Sequence, residues 1–423
     1  MPTLSWPVTT LFVFGTVILF FGVMKLLYAP LALAFEILAA RNRGRPSLLD
    51  EEPLVSIVVP AFNESVVVAN CVQSIIASGY RNREVILVDD GSTDDTAAVM
   101  SDFAARHPEV RFVSQRNAGK GAALNTGADL ANGTVLIFVD ADSIFQEDTI
   151  ENMLRGFSHP RVGAVCGDDR PVNLDRIQTR LLTVISHIGT GLVRRSLTVL
   201  RCLPIVSGNS GAFRREVLEQ TGPFNTDTVG EDLELTWRVH KAGYRVNFAP
   251  HALVYAESPS TIRGLWKQRV RWARGLLQTT WLHRSMIGNP SYGMFGAFLV
   301  FNTITMIFIP VIQLAVLILL VLALATGHNP LPATAWQVVG WLGLITTLVL
   351  ALVSIAFNRA WADLRHLWTL PLWPIYSVFV ALTMASALWL QLARQPNNWN
   401  KLERTGVVSV NSSRRTAHPP NAI

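Results

Sequence analysis

The sequence predicts an α/β domain with a mostly parallel sheet, set between flanking transmembrane α-helices. Three observations predict it. Short β-branched runs at 55–59, 85–88 and 135–139 are apolar throughout and end in polar or acidic residues; strands without a polar face are buried on both sides, as in a parallel sheet covered by helices. Apolar stretches long enough to cross a bilayer flank this region. Half of the 423 residues are hydrophobic, which argues against a purely soluble chain.

The first apolar stretch, 11–40, is interrupted only by Lys25 and Glu36. About 20 residues cross the hydrocarbon, so one long or tilted span fits, and the stretch is too long for a cleaved signal peptide. It ends in Arg41, Arg43 and Arg45, which places the next domain on the cytoplasmic side. The expected division is a membrane segment at 1–45, the α/β domain at 51–260, amphipathic interfacial helices at 261–293, about three transmembrane helices at 294–393 (294–326, 333–357 and 367–393), and a polar, partly disordered tail at 394–423. One span before the domain and three after it leave the tail outside, yet Arg394, Lys401, Arg404, Arg414 and Arg415 prefer the inside. Either one apolar segment is re-entrant, near Pro310 or Pro374, or the charge rule fails.

The net charge of +6 collects at the edges of apolar stretches, which suits an anionic membrane surface; no basic patch interleaved with aromatics points to nucleic acid. Cys71, Cys166 and Cys202 are scattered, excluding a CxxC zinc site and a disulfide framework.

The chemistry gathers at strand ends, where ligands of open α/β sheets bind. The first strand runs into Phe62 and Glu64, the second into Asp89 and Asp90 followed by Gly91. A carboxylate at Asp90 can accept from a uracil NH or a ribose hydroxyl, or Asp90 and Ser92 merely cap the next helix. Lys120, in a glycine-rich turn opening a helix, suits a pyrophosphate, but the spacing is not that of a Walker loop. Asp140 and Asp142, one residue apart after a strand, can converge on Mg2+ or Mn2+; an isolated pair of this kind is often only solvated surface. Glu231 and Asp232 open a helical pattern through Leu235, Trp237 and Val239, where a carboxylate serves as general base or simply complements the helix dipole. Gln268, Arg271 and Trp272 share one face of an amphipathic stretch, either an ordinary interfacial helix or a group that holds a diphosphate through Arg271 and stacks a sugar on Trp272.

In this order, Asp90, the Asp140/Asp142 pair, Glu231 with Asp232, and the QxxRW of Gln268, Arg271 and Trp272, followed by apolar spans, resemble the processive family 2 glycosyltransferases of the GT-A fold. The resemblance covers 55–274. Residues 162–165, 211–215 and 264–273 are most similar to bacterial poly-β-1,6-N-acetylglucosamine synthases; chitooligosaccharide, hyaluronan and cellulose synthases are related. It implies that Phe62 and Glu64 flank the uracil, Asp90 binds uridine, Lys120 the diphosphate, Asp140 and Asp142 the donor and its metal, and Asp232 is the base beside Glu231. Gln268, Arg271 and Trp272 close the site, and Ser207, Gly208 and Trp272 meet the acceptor. The cysteine that cellulose synthases carry near Ser207 is missing. Gly167 to Arg170 mimics a hyaluronan synthase signature but precedes Glu231, where that signature belongs, and reads as coincidence. Residues 399–406 are similar to a tail motif of related synthases, favouring a cytoplasmic tail.

The resemblance thus implies a multi-pass plasma-membrane enzyme with a cytoplasmic catalytic domain. It would be an inverting synthase that polymerises and extrudes a β-linked polysaccharide from a UDP-sugar, best UDP-GlcNAc. Its partners would be that donor, the growing polysaccharide and the lipid bilayer, with accessory membrane or export subunits as further candidates. A hyaluronan, chitooligosaccharide or glucan product, or single transfer to a polyprenyl phosphate, are the alternatives.

Overall fold

The computed structural model describes residues 6–42, 44, 46–327, 333–395 and 406, with side chains for all of these except 6–13 and 333–340. Arg43, Arg45, the 328–332 linker and most of the tail, including 399–405 and its basic residues Lys401, Arg404, Arg414 and Arg415, lie outside the described residues.

The sheet is built from β1 (Val55–Ala61), β2 (Arg83–Asp89), β3 (Val110–Ser114), β4 (Val135–Phe138), β5 (Ile144–Phe145), β6 (Val162–Pro171), β7 (Gly211–Arg214) and β8 (Arg245–Ala256), in the order β3-β2-β1-β4-β7-β6-β8-β5. β3, β2, β1 and β4 are parallel, as their unbroken apolar runs predict. Beyond β4 the sheet is mixed. β7 runs antiparallel to both β4 and β6, β6 and β8 are parallel, and β5 is antiparallel to β8. The expectation of a mostly parallel sheet holds, since six of the eight strands run one way and only β7 and β5 are reversed; the four-residue β7 carries too little pattern to announce its reversal.

The helices are α1 (Trp6–Met24), α2 (Tyr28–Arg41), α3 (Val68–Ile76), α4 (Thr96–Arg106), α5 (Lys120–Leu130), α6 (Thr149–Gly156), α7 (Ile177–His187), α8 (Arg195–Val199), α9 (Arg215–Thr221), α10 (Glu231–Lys241), α11 (Ile262–Leu282), α12 (Gly293–Thr303), α13 (Ile309–Ala325), α14 (Ala333–Phe357) and α15 (Trp373–Leu392). A π-helical turn, Ile188–Arg194, joins α7 to α8, and a second, Ile304–Phe308, joins α12 to α13. β1 and β4 are buried at every position. One sheet face packs on Val72, Ile75, Met100 and Met153 of α3, α4 and α6. The other packs on Leu124, Trp237, Val239 and Leu299 of α5, α10 and α12. Each such side chain withdrawn from water contributes about 1.5–3 kcal/mol, and the two layers fix where the strand ends open.

Among the described residues, three helical stretches are long and apolar enough to cross a membrane: Phe14–Arg41, Pro290–Ala325 and Trp361–Leu392; Trp341–Phe357 is a shorter apolar helix. The order of strands reverses at β1, between β2 and β4, so the crevice at their carboxyl ends is where a ligand is expected.

Candidate active site

At the end of β1 the chain turns through Asn63, whose φ of 55° is left-handed, a conformation Asn tolerates better than most side chains. This turn is clasped to the loop after β2. Asn63 N–H donates to Ser92 Oγ (2.8 Å), Thr93 N–H to Asn63 Oδ1 (2.7 Å), and Glu64 N–H to Thr96 Oγ1 (2.8 Å). Phe62 and Glu64 are thereby held beside the end of β2. Asp90 does not cap α4. Its Oδ1 accepts from Gln115 Nε2 (2.8 Å) and Ala118 N–H (2.9 Å), and its Oδ2 from Gly119 N–H (2.8 Å). The buried Asp90 thus shapes the glycine-rich turn that launches α5, while Ser92 N–H reaches Asp89.

That turn delivers Lys120, the first residue of α5, into a cluster of carboxylates. Lys120 Nζ lies 2.5 Å from Asp140 Oδ1 and 3.4 Å from Glu231 Oε1. Burial alone would lower the ammonium's pKa, but Asp140, Glu231 and Asp232 outweigh it and hold it above the usual lysine range. Asp142 is buried two residues beyond Asp140. The Cys71 thiol beneath them, its Sγ 3.6 Å from the Asp140 carbonyl oxygen, is pushed up by burial and by both aspartates, so it is an inert thiol.

Asp232 sits in the first turn of α10. Its Oδ1 accepts from Leu233 N–H (2.8 Å) and its Oδ2 from Gly208 N–H (3.2 Å). Burial and the neighbouring Glu231 push its carboxyl up to about 6, against the opposing charges of Lys120 and Arg271. Gly208 separates the Asp232 carboxyl from the Lys120 ammonium: a Cβ there would lie 3.0 Å from Lys120 Nζ and 3.4 Å from Asp232 Oδ2. Ser207 Oγ donates to Asn209 Oδ1 (2.8 Å) and its N–H points at Cys166 Sγ (3.5 Å), which ties this segment over the middle of β6.

α11 brings in the remaining residues. Arg271 is close enough to act on the charge of Asp232. Gln268 lies one turn earlier on the same face. Trp272 is turned outward and half exposed, with the Arg269 guanidinium 4.2 Å above its ring. The structure therefore converges Lys120, Asp140, Glu231, Asp232, Gly208 and Arg271, sets Phe62, Glu64 and Asp90 on the adjoining strand ends, and does not pack Trp272 into the cluster. What sequence reasoning missed is the seat of α11. Gly230 and Gly275 meet backbone to backbone, and Val229 N–H donates to Gln278 Oε1 (3.1 Å). The glycines themselves were the available signal.

Asp140 and Asp142 offer hard oxygens at a strand end, and among the described residues no group of three or more His, Cys, Asp or Glu forms a closed metal cage. That donor set fits an ion such as Mg2+ or Mn2+, which takes one or two carboxylates and completes its shell with water and phosphate. The Lys120 ammonium on Asp140 marks the cluster as one that attracts a cation.

Gly167 to Arg170 lies elsewhere, at the junction with the apolar helices. Asp168 pairs with Arg170 (2.7 Å), Asp169 with Arg194, and Arg195 with Glu36 (2.7 Å). Asn358, just past α14, accepts from Arg195 Nη1 (2.8 Å) and donates to Thr190 Oγ1 (2.9 Å).

Residues 53–275 match the family described as "Glycosyltransferase like family 2". The poly-β-1,6-N-acetyl-D-glucosamine synthase of Staphylococcus aureus (strain COL) is 32% identical over 241 residues, 57% of this chain and 58% of that protein. The synthase of the same description from Staphylococcus epidermidis is 34% identical over 233 residues, 54% of this chain and 56% of that protein. The match thus spans less than two thirds of these relatives' length. The solved structure of a mannosyltransferase from Pyrobaculum calidifontis, in complex with GDP-Man and Mn2+, superimposes with a TM-score of 0.67 at 22% identity, covering 92% of this chain and 99% of that one. At that identity the likeness speaks for the fold alone, which is GT-A.

Proposed function

The chain belongs to glycosyltransferase family 2, and from that premise we propose that it is an inverting membrane enzyme polymerising a β-linked polysaccharide from UDP-GlcNAc. The observation that carries this reading is the meeting of Lys120, Asp140, Glu231 and Asp232 at Gly208: a phosphate-binding cation and a raised-pKa base share one crevice. The similarity to two poly-N-acetylglucosamine synthases supports the choice of sugar.

In this reading the α/β domain, 51–260, holds the donor. Phe62 and Glu64 flank the uracil, and Asp90 both builds the 115–119 turn and meets the uridine. Lys120 leaves Asp140 for the diphosphate, and Arg271 and Gln268 close on it from α11. Asp140 and Asp142 would hold Mg2+ or Mn2+, whose charge offsets that of the diphosphate. Ser207 and Gly208 border the acceptor. Asp232 takes the proton from the acceptor hydroxyl as its oxygen bonds to the anomeric carbon; the bond from that carbon to the diphosphate oxygen breaks, and UDP leaves with the electron pair. Attack opposite the leaving group inverts the anomeric centre. Retention of the product and its extrusion through the enzyme's own spans, at the plasma membrane with the α/β domain in the cytoplasm, complete the proposal.

The test is purified protein in nanodiscs with Mg2+ or Mn2+ and, separately, UDP-GlcNAc, UDP-glucose and UDP-glucuronate, following UDP release and product size together. High-molecular-weight product from UDP-GlcNAc alone is expected. Product that needs two sugars, or appears only with added polyprenyl phosphate, overturns the assignment.

A further inference from the structure

By length and composition the segment Trp361–Leu392 can cross a membrane. Its contacts say otherwise. At its start, Asp363 pairs with His187 of α7 (2.8 Å), and α7 is a neighbour of β6. At its end, Arg274 of α11 donates to the Gln395 carbonyl oxygen (2.8 Å), and Gln278 Nε2 donates to Gln391 Oε1 (3.3 Å). Further on, Gly406 lies against Val66, in the loop after β1: a Cβ on Gly406 would fall 2.5 Å from Val66 Cγ1. Three successive points of the chain, 363, 395 and 406, therefore touch the α/β domain or helices fastened to it.

Between these points α15 runs along α11. The rings of Phe379 and Trp266 are 5.5 Å apart, Tyr376 bonds Arg269, and Met384 and Ala387 share a core with Val270 and Ala273. α11 cannot enter the hydrocarbon as a span. It carries Arg263, Lys267, Arg269, Arg271 and Arg274, and it is fastened to α10 by the Gly230–Gly275 contact and by His283 on Glu234 (2.9 Å). A helix lying along α11 from Phe379 to the Gln391 level cannot reach the far side either.

We infer that 361–392 is a membrane-surface segment that dips into one leaflet and returns, so that the chain after 395 stays on the side of the α/β domain. The outward stripe of α15, Ile375, Leu382, Trp389 and Leu392, is exposed and apolar; three of these residues recur every seven, on one helix face. Its occupant is the lipid of that leaflet, because α15 is continuous with the apolar helix α13 through Ser377 and Gln313 (3.0 Å). Among the described residues three crossings remain. α1 enters, since Glu36 of the following α2 is on Arg195. α13 leaves and α14 returns, since Asn358 joins the same Arg195 network. The tail's arginines and lysine then obey the charge rule. Nothing in this inference depends on the sugar transferred.

The full-length protein in membranes carries single added cysteines, the native three being buried. Ser412→Cys reports the tail, Ser101→Cys the α/β domain and Asn329→Cys the α13–α14 linker. With a membrane-impermeant maleimide, Ser412→Cys should label in the same vesicle orientation as Ser101→Cys and opposite to Asn329→Cys. Labelling of Ser412→Cys together with Asn329→Cys, or in both orientations, overturns the inference. A fluorophore on Leu382→Cys should be quenched by doxyl lipids in nanodiscs; no quenching, with cross-linking between copies instead, replaces lipid by a second chain as occupant and overturns that part.

Discussion

Gly230 before α10 and Gly275 within α11 touch through their backbones: a Cβ on Gly275 would lie 2.9 Å from the Gly230 Cα. No side chain fits there, and the contact sets how far Arg271 and Gln268 stand from Asp232. Gly275→Ala must shift α11, and small misplacements of catalytic groups cost up to about 100-fold. We expect kcat/KM to fall roughly 10- to 100-fold for Gly275→Ala. Gly189→Ala, where an added Cβ meets nothing within 4 Å, should leave it unchanged. Equal activities of the two variants would remove the positioning role.

The raised carboxyl of Asp232 predicts a pH profile. A general base works only unprotonated, so kcat/KM should rise with pH through about 6 and level off above it. The sign of each neighbour follows. Glu231→Gln removes a negative charge and moves the acid limb to lower pH; Lys120→Met removes a positive charge and moves it higher. Asp232→Asn should lower kcat by about 100- to 10,000-fold while UDP binding, read by calorimetry, stays close to wild type. Parallel loss of UDP binding would deny Asp232 the role of base.

The strands at 55–59, 85–88 and 135–139 were legible because burial on both faces leaves no polar position to blur the pattern. The carboxylates were legible because each follows a strand or opens a helix, so local order places them. The Lys120–Asp140 pair, the Gly230–Gly275 seat and the return of residue 395 to Arg274 were not, since each joins positions 20 to 121 residues apart that no local period relates. Asp90 shows the difference within one residue: sequence placed it at the strand end, but only the fold reveals that three of its bonds go to the 115–119 turn.

Arg195 is buried and bonds Glu36 Oε1 (2.7 Å), Thr190 O (2.9 Å), Asn358 Oδ1 (2.8 Å) and Phe357 O (3.2 Å). Arg195→Met would strand these acceptors, and breaking such a network costs on the order of 2–4 kcal/mol, less the share of Glu36, which water partly screens. Arg195→Lys should recover only part, because an ammonium lacks the planar fork that reaches several acceptors at once. Thermal unfolding in nanodiscs should rank wild type, Arg195→Lys, Arg195→Met; a Met variant as stable as wild type would contradict the network's role.

Trp272 is half exposed, and the Arg269 guanidinium covers one face of its ring. A sugar that stacks there uses the other face or displaces Arg269. Stacking on an aromatic ring is worth about 0.5–1.5 kcal/mol, or roughly 2- to 10-fold in acceptor retention. In the proposed processive synthase, elongation competes with acceptor release at every step, so a modest loss of hold compounds along the chain. Trp272→Ala should therefore shorten the product distribution strongly while UDP release without acceptor changes less than about twofold, read by size-exclusion of labelled product beside a coupled UDP assay. An unchanged length profile would place the acceptor elsewhere and leave Trp272 as the interfacial anchor that its exposure on α11 also suits.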